Sequence, residues 1–507
     1  MSGLTRTDLT TCNKVDLAAA SVARQGMYGV VTELAKHFGV SRPTVYSARQ
    51  QGLEALVGQF DAEVRRHRLG SILIDEPQLE RACIALRVMA PNSIRAIEGL
   101  IPILYPGVEV SYGKIQGILA EAEAKAAEFN RGVDLSGIRA GAVDEMFSQG
   151  DPVLAGVCLD SGFLFALELC ETRSAEDWQR TLEAGKSQGL ALDVVVKDAA
   201  KGIQAGVNAA FPSAEQRDDC FHAQYEMTKV LRQLEQKAYA AISAEMADER
   251  AIEKMKASMS GDRTQRRSLD MKLSHARRRC ERVLGLHDTF AGLVDEVRDA
   301  LEIVDLKTGQ LGTPEVMEER LNVAASAMQA LDDPKCRKVG RYLANRAPGL
   351  VLYARELLAA LGDLVPTHGD KPLRLACLIE RLRHDLGTRW NRWRRHEDRR
   401  HLLGACAMLM HIAGDAAFPT LQAVRDLLAK RHRASSAIEG FNAALRPHLY
   451  VHKGASQGFL NLFRAYYNLR KRRWGRHKGT SAHQCLTGER VDDWPTKLGY
   501  RRTRAAA

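Results

Sequence analysis

The chain has 507 residues and a formal net charge of +11, and 45% of its residues are hydrophobic. A chain of this length exceeds one compact core, so we expect two to four domains, and the hydrophobic fraction excludes wholesale disorder. The basic balance favours an anionic partner, of which nucleic acid is the most common.

Other classes of protein are disfavoured by features that the sequence lacks. The ten cysteines include no C-x-x-C pair, so a cysteine-based zinc site is not expected. No run of about 18 uncharged apolar residues occurs, which predicts no membrane span and no membrane partner. The N-terminus lacks the basic start and apolar run of a secretion signal, so we expect a cytoplasmic protein.

The first predicted domain, residues 1–70, contains a segment typical of a helix-turn-helix, VVTELAKHFGVSRPTVYSARQQG. Gly39 falls in the turn, where the backbone must be permissive, and Ser41 is placed to cap the second helix. The residues predicted to face DNA are Arg42, Thr44, Tyr46, Ser47 and Arg49. A plain helical hairpin is the alternative.

A second helical module, residues 71–135, repeats the pattern. Its helices flank a turn at Pro106 and Gly107, Ser111 opens the second helix, and Lys114 is a candidate DNA contact. A second helix-turn-helix and a helical packing module both fit this sequence. We expect residues 121–130 to form an exposed helix end or a linker.

Residues 136–222 read as strands separated by helices. Three apolar runs, IRAGAVDEMF, PVLAGVCLDS and GFLFALELCE, predict a meander. A helix capped by Ser174, a buried strand in LDVVVKD, a second helix and a fifth strand in EQRDDCFH follow. This order is that of an RNase H-like sheet, so we predict an α/β RNase H-like core with a mixed five-stranded sheet.

The rest of the chain is predicted to be helical. Residues 223–430 form a large all-helical insertion, and residues 431–507 return to the core with two helices, SSAIEGFNAALRPHLY and FLNLFRAYYNLRKRRW. Two basic segments suit phosphate contact combined with base stacking. Residues 389–400 interleave Trp390 and Trp393 with arginine, although both tryptophans could equally be core residues. Residues 464–478 include Arg470, Lys471, Arg472 and Arg473.

Two aspartates are candidate ligands of a divalent metal ion. Asp144 lies in the first predicted strand and Asp198 ends the fourth, and these strands are neighbours in an RNase H-like sheet. Two metal ions held by carboxylates can activate an oxygen nucleophile and stabilise the leaving oxygen of a phosphodiester. The alternatives are that Asp144 is merely solvated and that Asp198 caps the following helix.

Residues from later segments would complete the site. Glu439 lies on a helix opened by Ser435 and Ser436, with Asn442 nearby on the same face, where it could hold a ligand or a DNA phosphate. Ser436 and Glu439 also match a capping box, which would make Glu439 structural. Asp219 and His222 follow the fifth strand, and a packed or solvated histidine is the alternative for His222.

The motifs resemble those of DDE transposases with an all-helical insertion, the clade of insertion-sequence transposases that includes Mutator-like and hAT-like elements. The resemblance covers roughly residues 138–490. It is carried by DEMF at 144–147, by VVVKDAAKGI at 194–203 followed by Asp219 and His222, and by SSAIEGFN at 435–442 followed by YYN at 466–468 and GRHKGTSAHQCLTG.

The resemblance implies Asp144, Asp198 and Glu439 as ligands of two Mg²⁺ (or Mn²⁺) ions, with Asp219 and His222 as an auxiliary pair. In this family the helical insertion contacts DNA ends, often through an aromatic residue that stacks on a flipped base, a role for which Trp390 and Trp393 are candidates. The partners would be double-stranded terminal inverted repeats and target DNA. Transposases of this kind generally work as dimers or larger assemblies, here in the nucleoid.

The sequence therefore predicts a DNA transposase that cleaves element ends and joins them to target DNA by in-line phosphoryl transfer. Two other functions are compatible with the same features. One is a domesticated transposase that only binds DNA as a regulator. The other is an RNase H-like nuclease without strand transfer.

Overall fold

The computed structural model describes residues 9–65, 74–198, 200–258, 263–306, 308–388, 392–451 and 454–501. The chain divides into two compact units, one comprising Met1–Asp75 with Arg504–Ala507 and the other Glu76–Thr503. Helices predominate, and one mixed five-stranded sheet lies in the larger unit.

The smaller unit contains three helices, α1 (Thr11–Ala23), α2 (Val30–His37) and α3 (Arg42–Arg65). Its core consists of Leu17, Val30, Leu34 and Val45. Gly39 has a φ of 61° in the turn between α2 and α3. Ser41 Oγ accepts a hydrogen bond from the Thr44 amide at 3.3 Å. The permissive turn and the serine cap predicted from the sequence are therefore present.

The larger unit begins with α4 (Glu76–Met89), α5 (Ile94–Leu104) and α6 (Tyr112–Gly132). Ser111 caps α6 by accepting from the Lys114 amide. The expectation that residues 121–130 form an exposed end or linker is wrong. Ala122 and Ala126 are fully buried there, because α6 packs along a later helix, α17 (Gln457–Leu469).

The sheet has the strand order β3-β2-β1-β4-β5. The strands are β1 (Ala140–Ser148), β2 (Asp151–Cys158), β3 (Leu164–Leu169), β4 (Val194–Lys197) and β5 (Glu215–Asp218). β1, β2 and β3 are antiparallel neighbours, whereas β4 pairs in parallel with both β1 and β5. The mixed five-stranded sheet predicted from the sequence is thus observed.

Helices cover both faces of the sheet. On one face α7 (Ala175–Lys186) and α8 (Lys201–Ala210) form a core with inward-facing strand residues such as Val143 and Val195. On the other face α16 (Ser436–Val451) packs against β1 and β2. Because side chains alternate along a strand, Asp144 points away from α7 and α8, towards α16.

β3 is the outer strand of the sheet, and polar side chains of α17 cover its free edge. The Asn468 amide group accepts from the Leu164 N–H at 2.7 Å and donates to its carbonyl at 3.0 Å. Arg464 donates to the carbonyls of Leu164 and Phe165 at 3.0 and 2.5 Å. Arg464, part of the basic segment predicted to contact DNA, is therefore buried and closes a sheet edge.

The helical insertion covers the opposite edge, at β5. Its helices are α9 (Cys220–Ser258), α10 (Arg263–Ala300), α11 (Pro314–Ala330), α12 (Pro334–His368), α13 (Asp370–Thr388), α14 (Arg392–Ala413) and α15 (Ala417–Ala429). α12 lies directly on β5, where Arg346 pairs with Asp218 at 2.9 Å and Glu356 pairs with Arg217 at 2.5 Å. A Cβ atom at Gly349 would overlap the Asp218 carboxylate, so glycine permits this close approach.

The segment that returns from α15 to α16 is fixed by ion pairs and backbone contacts. Arg431 and Arg433 both pair with the buried Glu302, at 3.2 and 2.5 Å. The Arg433 carbonyl accepts from the Cys220 amide at 3.0 Å, where α9 begins. The start of α16 is consequently held beside the end of β5. Two short helices, α18 (Ala482–Thr487) and α19 (Trp494–Lys497), end the described chain.

The sequence predicts no membrane span, but one stretch of the insertion is long and apolar enough to form one. By length and composition alone, Glu397–Ala429 could cross a membrane, and 17% of its most apolar window is buried. A 3₁₀ turn at Gly414–Ala416 divides this stretch into α14 and α15, which pack against α13. One such stretch is weak evidence for a membrane span.

Candidate active site

The pairing of β1 and β4 places Asp144 beside Asp198. Val143 is the register partner of Lys197 in this parallel pair, and the next residue of each segment is an aspartate, Asp144 within β1 and Asp198 directly after β4. Adjacent strands lie about 4.8 Å apart, and side chains at paired positions point to the same face. Sheet register therefore brings together two acids that are distant in the sequence.

The helix α16 brings Glu439 and Asn442 to the same end of the sheet. Asn442 is buried, with 2% of its surface exposed, and its Nδ2 donates to Asp144 Oδ2 at 2.7 Å. Glu439 lies one turn earlier on this helix. Asn442 thus contacts Asp144 directly, and Asp198 and Glu439 lie close enough to Asp144 to act on it electrostatically.

The pKa of Asp144 is raised to about 6, chiefly because burial penalises the ionised carboxylate. Hydrogen bonds from the Glu145 amide and from Asn442 act in the opposite direction, whereas the charges of Asp198 and Glu439 raise the pKa further. Burial is thus the main reason why the ionised state of Asp144 is disfavoured, and the charges of Asp198 and Glu439 add to it.

The structure supports a local structural role for Asp198 but not the capping box considered for Glu439. Asp198 Oδ1 accepts from the Ala200 amide at 2.8 Å, so this aspartate does contribute to the turn that precedes α8. Glu439 is the fourth residue of α16, and its own amide donates to the Ser435 carbonyl at 3.0 Å. A capping box needs the acid at the third position, so Glu439 and Ser436 do not form one.

The contacts of Asp219 are those of a structural residue, whereas the resemblance implies an auxiliary catalytic role for it. It is 5% exposed, and its Oδ1 caps α9 by accepting from the Phe221 amide at 2.8 Å. Both the backbone amide and the hydroxyl of Ser435 also donate to this carboxylate. Asp219 therefore connects the end of β5 to the start of the helix that carries Glu439.

His222 lies in the first turn of α9 and is partly exposed. Its Nε2 is 3.7 Å from Glu226 Oε1, one turn further along the same helix. Its ring also lies against Tyr225, with the centroids 6.5 Å apart. The contacts of His222 are thus local to α9.

The donor atoms at the site are chemically suited to a hard divalent cation, although they are not arranged as ligands. Asn442 Oδ1 is buried and has no hydrogen-bond partner among the described residues. Carboxylate and amide oxygens are the donors that Mg²⁺ and Ca²⁺ prefer. Within the part of the chain that the structure describes, however, no group of three or more His, Cys, Asp or Glu side chains is arranged to hold a metal ion.

Glu145, the acid next to Asp144 in the sequence, is also buried in this region. Arg173 pairs with its Oε1 at 2.9 Å, and only 6% of the Glu145 side chain is exposed. Burial, opposed by Arg173 and reinforced by the charge of Asp198, raises its pKa. Its position next to Asp144 in DEMF was the available signal, but alternation on the strand sends the two acids to opposite faces.

The residues predicted to face DNA from the smaller unit differ in accessibility. Arg42, Thr44, Tyr46 and Ser47 are exposed on α3. Arg49 is instead half-buried, and its Nε donates to the Ser21 carbonyl at 2.9 Å. Arg49 therefore links α3 to α1 within the unit.

Of three further candidate DNA contacts, one is held in an ion pair and the side chains of the other two lie outside the described residues. Lys114 Nζ pairs with Glu76 Oε2 at 2.8 Å, so an incoming phosphate would have to compete with that carboxylate. Trp390 lies outside the described residues. Trp393 belongs to the first turn of α14, and its side chain lies outside the description as well.

The basic C-terminal segment forms a loop rather than the predicted continuation of a helix, because α17 ends at Leu469. Arg470 to Arg473 lie beside a cavity of about 920 Å³. Its other lining residues come from four helices and the loop itself: Met89, Gly440, Ala443, Ala444, Tyr466, Tyr467, Trp474 and Trp494. We call this cavity the α16–α17 groove.

A basic surface on α10 was not singled out from the sequence. Its exposed cations include Arg267, Lys272, Arg278, Arg279 and Arg282. Another arginine of this helix, Arg277, faces α9 and pairs with Glu249 at 2.5 Å. The run RRRCER was a visible signal, but in a long charged helix it is also typical of a solvated surface.

No protein-family model matches the chain, and no curated protein matches it. In structure the chain is similar to the Drosophila P element transposase strand transfer complex, with a TM-score of 0.30 and 12% sequence identity. The similarity covers 63% of this chain and 88% of that one. A likeness at this level establishes neither a shared fold nor a shared activity.

Proposed function

We propose that this protein is a DNA transposase of the DDE type, with an RNase H-like core and Asp144, Asp198 and Glu439 as its metal-binding carboxylates. One observation carries the proposal. Asp198 and Glu439, which come from separate segments of the chain, both act electrostatically on Asp144, beside the end of the β1–β4 pairing. The same three acids were selected from sequence motifs that resemble this class of enzyme.

The arrangement of charge supports a catalytic interpretation of the acids. Ionised carboxylates crowded beside a buried strand are unfavourable unless a cation compensates them. The raised pKa of Asp144 reflects that cost. A cation bound beside these carboxylates would offset the free-energy cost of holding their negative charges together.

In the proposed mechanism Asp144, Asp198 and Glu439 hold Mg²⁺ or Mn²⁺. The ions, when bound, would activate the attacking oxygen and stabilise the leaving oxygen. Asn442 orients the Asp144 carboxylate through its 2.7 Å hydrogen bond. Asp219 and Ser435 fix the first turn of α16, so that Glu439 is presented from a rigid element.

The proposed partner is DNA, contacted through separate basic surfaces. The exposed residues of α3 would read the duplex, and the cations of α10 and of the 470–474 loop would contact phosphates. We also propose that the active form is a dimer or a larger assembly on paired DNA ends, located in the cytoplasm at the nucleoid.

The decisive experiment is cleavage of linear duplexes that carry the genomic sequence on either side of the gene. We expect Asp144→Ala, Asp198→Ala and Glu439→Gln each to reduce Mg²⁺-dependent cleavage by about a hundredfold or more, since each removes charge stabilisation at the reacting phosphate. Binding of the same duplexes should be retained. Asp151→Ala, at an exposed acid of the β1–β2 turn, is the matched control.

The outcomes separate the proposal from its rivals. Full cleavage by all three variants would exclude this site as the catalytic centre. Binding without any cleavage by the unmodified protein would indicate a regulator. Cleavage that yields no joined products with a supercoiled plasmid would indicate a nuclease without strand transfer.

A further inference from the structure

Another cavity, of about 230 Å³, lies inside the helical insertion, between α13, α15 and the segment that follows α10. Val304 and Leu428 form part of an apolar wall. Pockets for drug-sized ligands have volumes of about 300 Å³ or more, so this cavity suits a smaller ligand. We call it the arginine cavity, and its charged and titratable lining residues are Glu302, Glu380, Arg381, His384, Arg425 and Arg431.

One lining carboxylate, Glu302, is shared by three arginines. Its Oε2 lies 3.2 Å from both Arg381 and Arg431, and its Oε1 lies 2.5 Å from Arg433. Within the described chain, Glu302 is the only acid that forms an ion pair with Arg431. Arg431 therefore has only part of one carboxylate to compensate its charge.

The second lining carboxylate is fully engaged by cations. Glu380 pairs with Arg383 at 2.8 Å and with Arg425 at 3.0 Å. An anion that enters the cavity would consequently meet no lining acid that lacks a cationic partner.

Arg381 has one nitrogen whose hydrogen-bonding capacity is unused. This side chain is 8% exposed, and its Nη2 and Nε contact Asp299 at 2.8 Å and Asp385 at 3.2 Å. The remaining nitrogen, Nη1, lies near Glu302 but forms no hydrogen bond with any residue that the structure describes. A buried donor without an acceptor is unfavourable, so Nη1 would gain from a ligand oxygen.

The electrostatic environment of the cavity is positive. Burial lowers the pKa of Arg431 to about 10, and the charges of Arg433 and Arg381 lower it further. Burial and the same three arginines lower the pKa of His384, although Asp385 acts in the opposite direction. Cationic groups that disfavour one another's charge would be stabilised by a bound anion.

We infer that the arginine cavity binds a free oxyanion of the size of phosphate, contacted by Arg381 and Arg431. Guanidinium groups match the geometry of phosphate oxygens and form charge-assisted hydrogen bonds with them. The anion supplies the acceptor that Arg381 Nη1 lacks and the negative charge that Arg431 lacks. Because Arg431 belongs to the segment that returns from α15 to α16, the bound anion also stabilises that segment.

The test is isothermal titration calorimetry of inorganic phosphate into the full-length protein near neutral pH, with sodium chloride at matched ionic strength as the reference. We expect Arg431→Met to weaken phosphate binding about tenfold or more, because it removes a charge-assisted contact. Glu302 keeps Arg381 and Arg433 in this variant, so the fold should be retained, as circular dichroism would verify. Leu428→Phe, which narrows the cavity without changing its charge, should also weaken binding and decides the question if Arg431→Met does not fold.

Arg320→Met is the matched control. The Arg320 side chain is 30% exposed and pairs with both Glu296 and Asp305 at 3.5 Å, so two acids share one arginine there. Its replacement should leave the affinity for phosphate unchanged. Equal affinities for Arg431→Met and Arg320→Met would overturn the inference, as would phosphate binding no more strongly than chloride. Neither DNA nor metal enters this experiment, so its failure would leave the proposed function standing.

Discussion

Two groups of carboxylates lie beside the ends of the β1–β4 and β4–β5 pairings, and they differ in how their charge is compensated. At β5, Asp218 is paired with Lys197 at 3.3 Å and with Arg346 at 2.9 Å. At β1 and β4, Asp144 and Asp198 lie side by side, and the pKa of Asp144 is raised by burial and, to a smaller extent, by the charge of Asp198. The same type of side chain is thus neutralised at one place and opposed by like charge at the next.

This difference separates structural acids from candidate catalytic acids. Asp218 and Asp219 hold elements together, the first by joining β5 to α12 and the second by joining α9 to α16. Asp144 gains comparatively little from its surroundings, which penalise its charge. Asp219 thus holds α9 and α16 together, and we propose Asp144 and Asp198 as the acids available to a cation.

We expect the largest loss of stability from Asp218→Asn, which tests the difference between compensated and uncompensated acids. This change leaves the buried Lys197, whose side chain is 4% exposed, without its carboxylate partner. Removing one member of a buried ion pair costs about 3 to 5 kcal/mol. The free energy of unfolding, measured with urea and circular dichroism, should fall by about that amount.

The matched control is Asp198→Asn, at the neighbouring strand end. Asparagine can still accept from the Ala200 amide, so we expect little loss of stability. If both variants were destabilised equally, the distinction between compensated and uncompensated acids would fail.

A second test uses the pH dependence of Asp144. Its pKa of about 6 exceeds the ordinary value of 3.8, so protonation favours the folded state. Its contribution to stability is complete below about pH 4 and is lost as the pH rises through 6. A shift of about two pKa units corresponds to roughly 3 kcal/mol. In EDTA, Asp144→Asn should therefore be more stable than the unmodified protein at pH 8, by up to that amount.

The advantage of Asp144→Asn should disappear at pH 4, where both proteins carry a neutral group. Thermal melts at the two pH values measure this difference. Mg²⁺ added at pH 8 should stabilise the unmodified protein and leave the variant unchanged, because the cation compensates the carboxylates. A variant less stable than the unmodified protein at pH 8 would refute the electrostatic account.

Much of the sheet was predictable because its signals are local. Short apolar runs bounded by glycine, proline and aspartate marked the first four strands, whereas β5 (Glu215–Asp218) contains no apolar residue. Ser174 caps α7 by accepting from the Asp177 amide as expected. The proximity of Asp144 and Asp198 followed once the order of the strands was predicted. The register of parallel strands then determines which residues are neighbours.

The remaining features depend on partners that are remote in sequence. Asp219 looks like a motif residue until Ser435 is seen to donate to it, and Arg464 looks like a DNA contact until it is found on the edge of β3. Ala122 and Ala126 look like part of a linker because alanine has no strong pattern of its own. Periodicity and charge cannot identify a tertiary partner, so these roles required the structure.

The smallest effect is expected from Ser435→Ala. The variant removes one hydroxyl donor to the buried Asp219 carboxylate and leaves the backbone donor in place. A hydrogen bond to a charged group contributes about 1.5 to 3 kcal/mol, and we expect a loss of stability at the lower end of that range. Urea unfolding would measure it.

Ser436→Ala, at an exposed neighbouring serine, is the control and should change neither stability nor cleavage. If Asp219 acts by positioning, Ser435→Ala should also slow cleavage, because the first turn of α16 carries Glu439, while the binding of DNA ends is kept. If Asp219 instead acted in the chemistry itself, its own replacement by asparagine would abolish cleavage even though asparagine can still cap α9 and meet Ser435. Comparing the cleavage rates of Ser435→Ala and Asp219→Asn therefore decides whether Asp219 is a positioning residue or takes part in the chemistry.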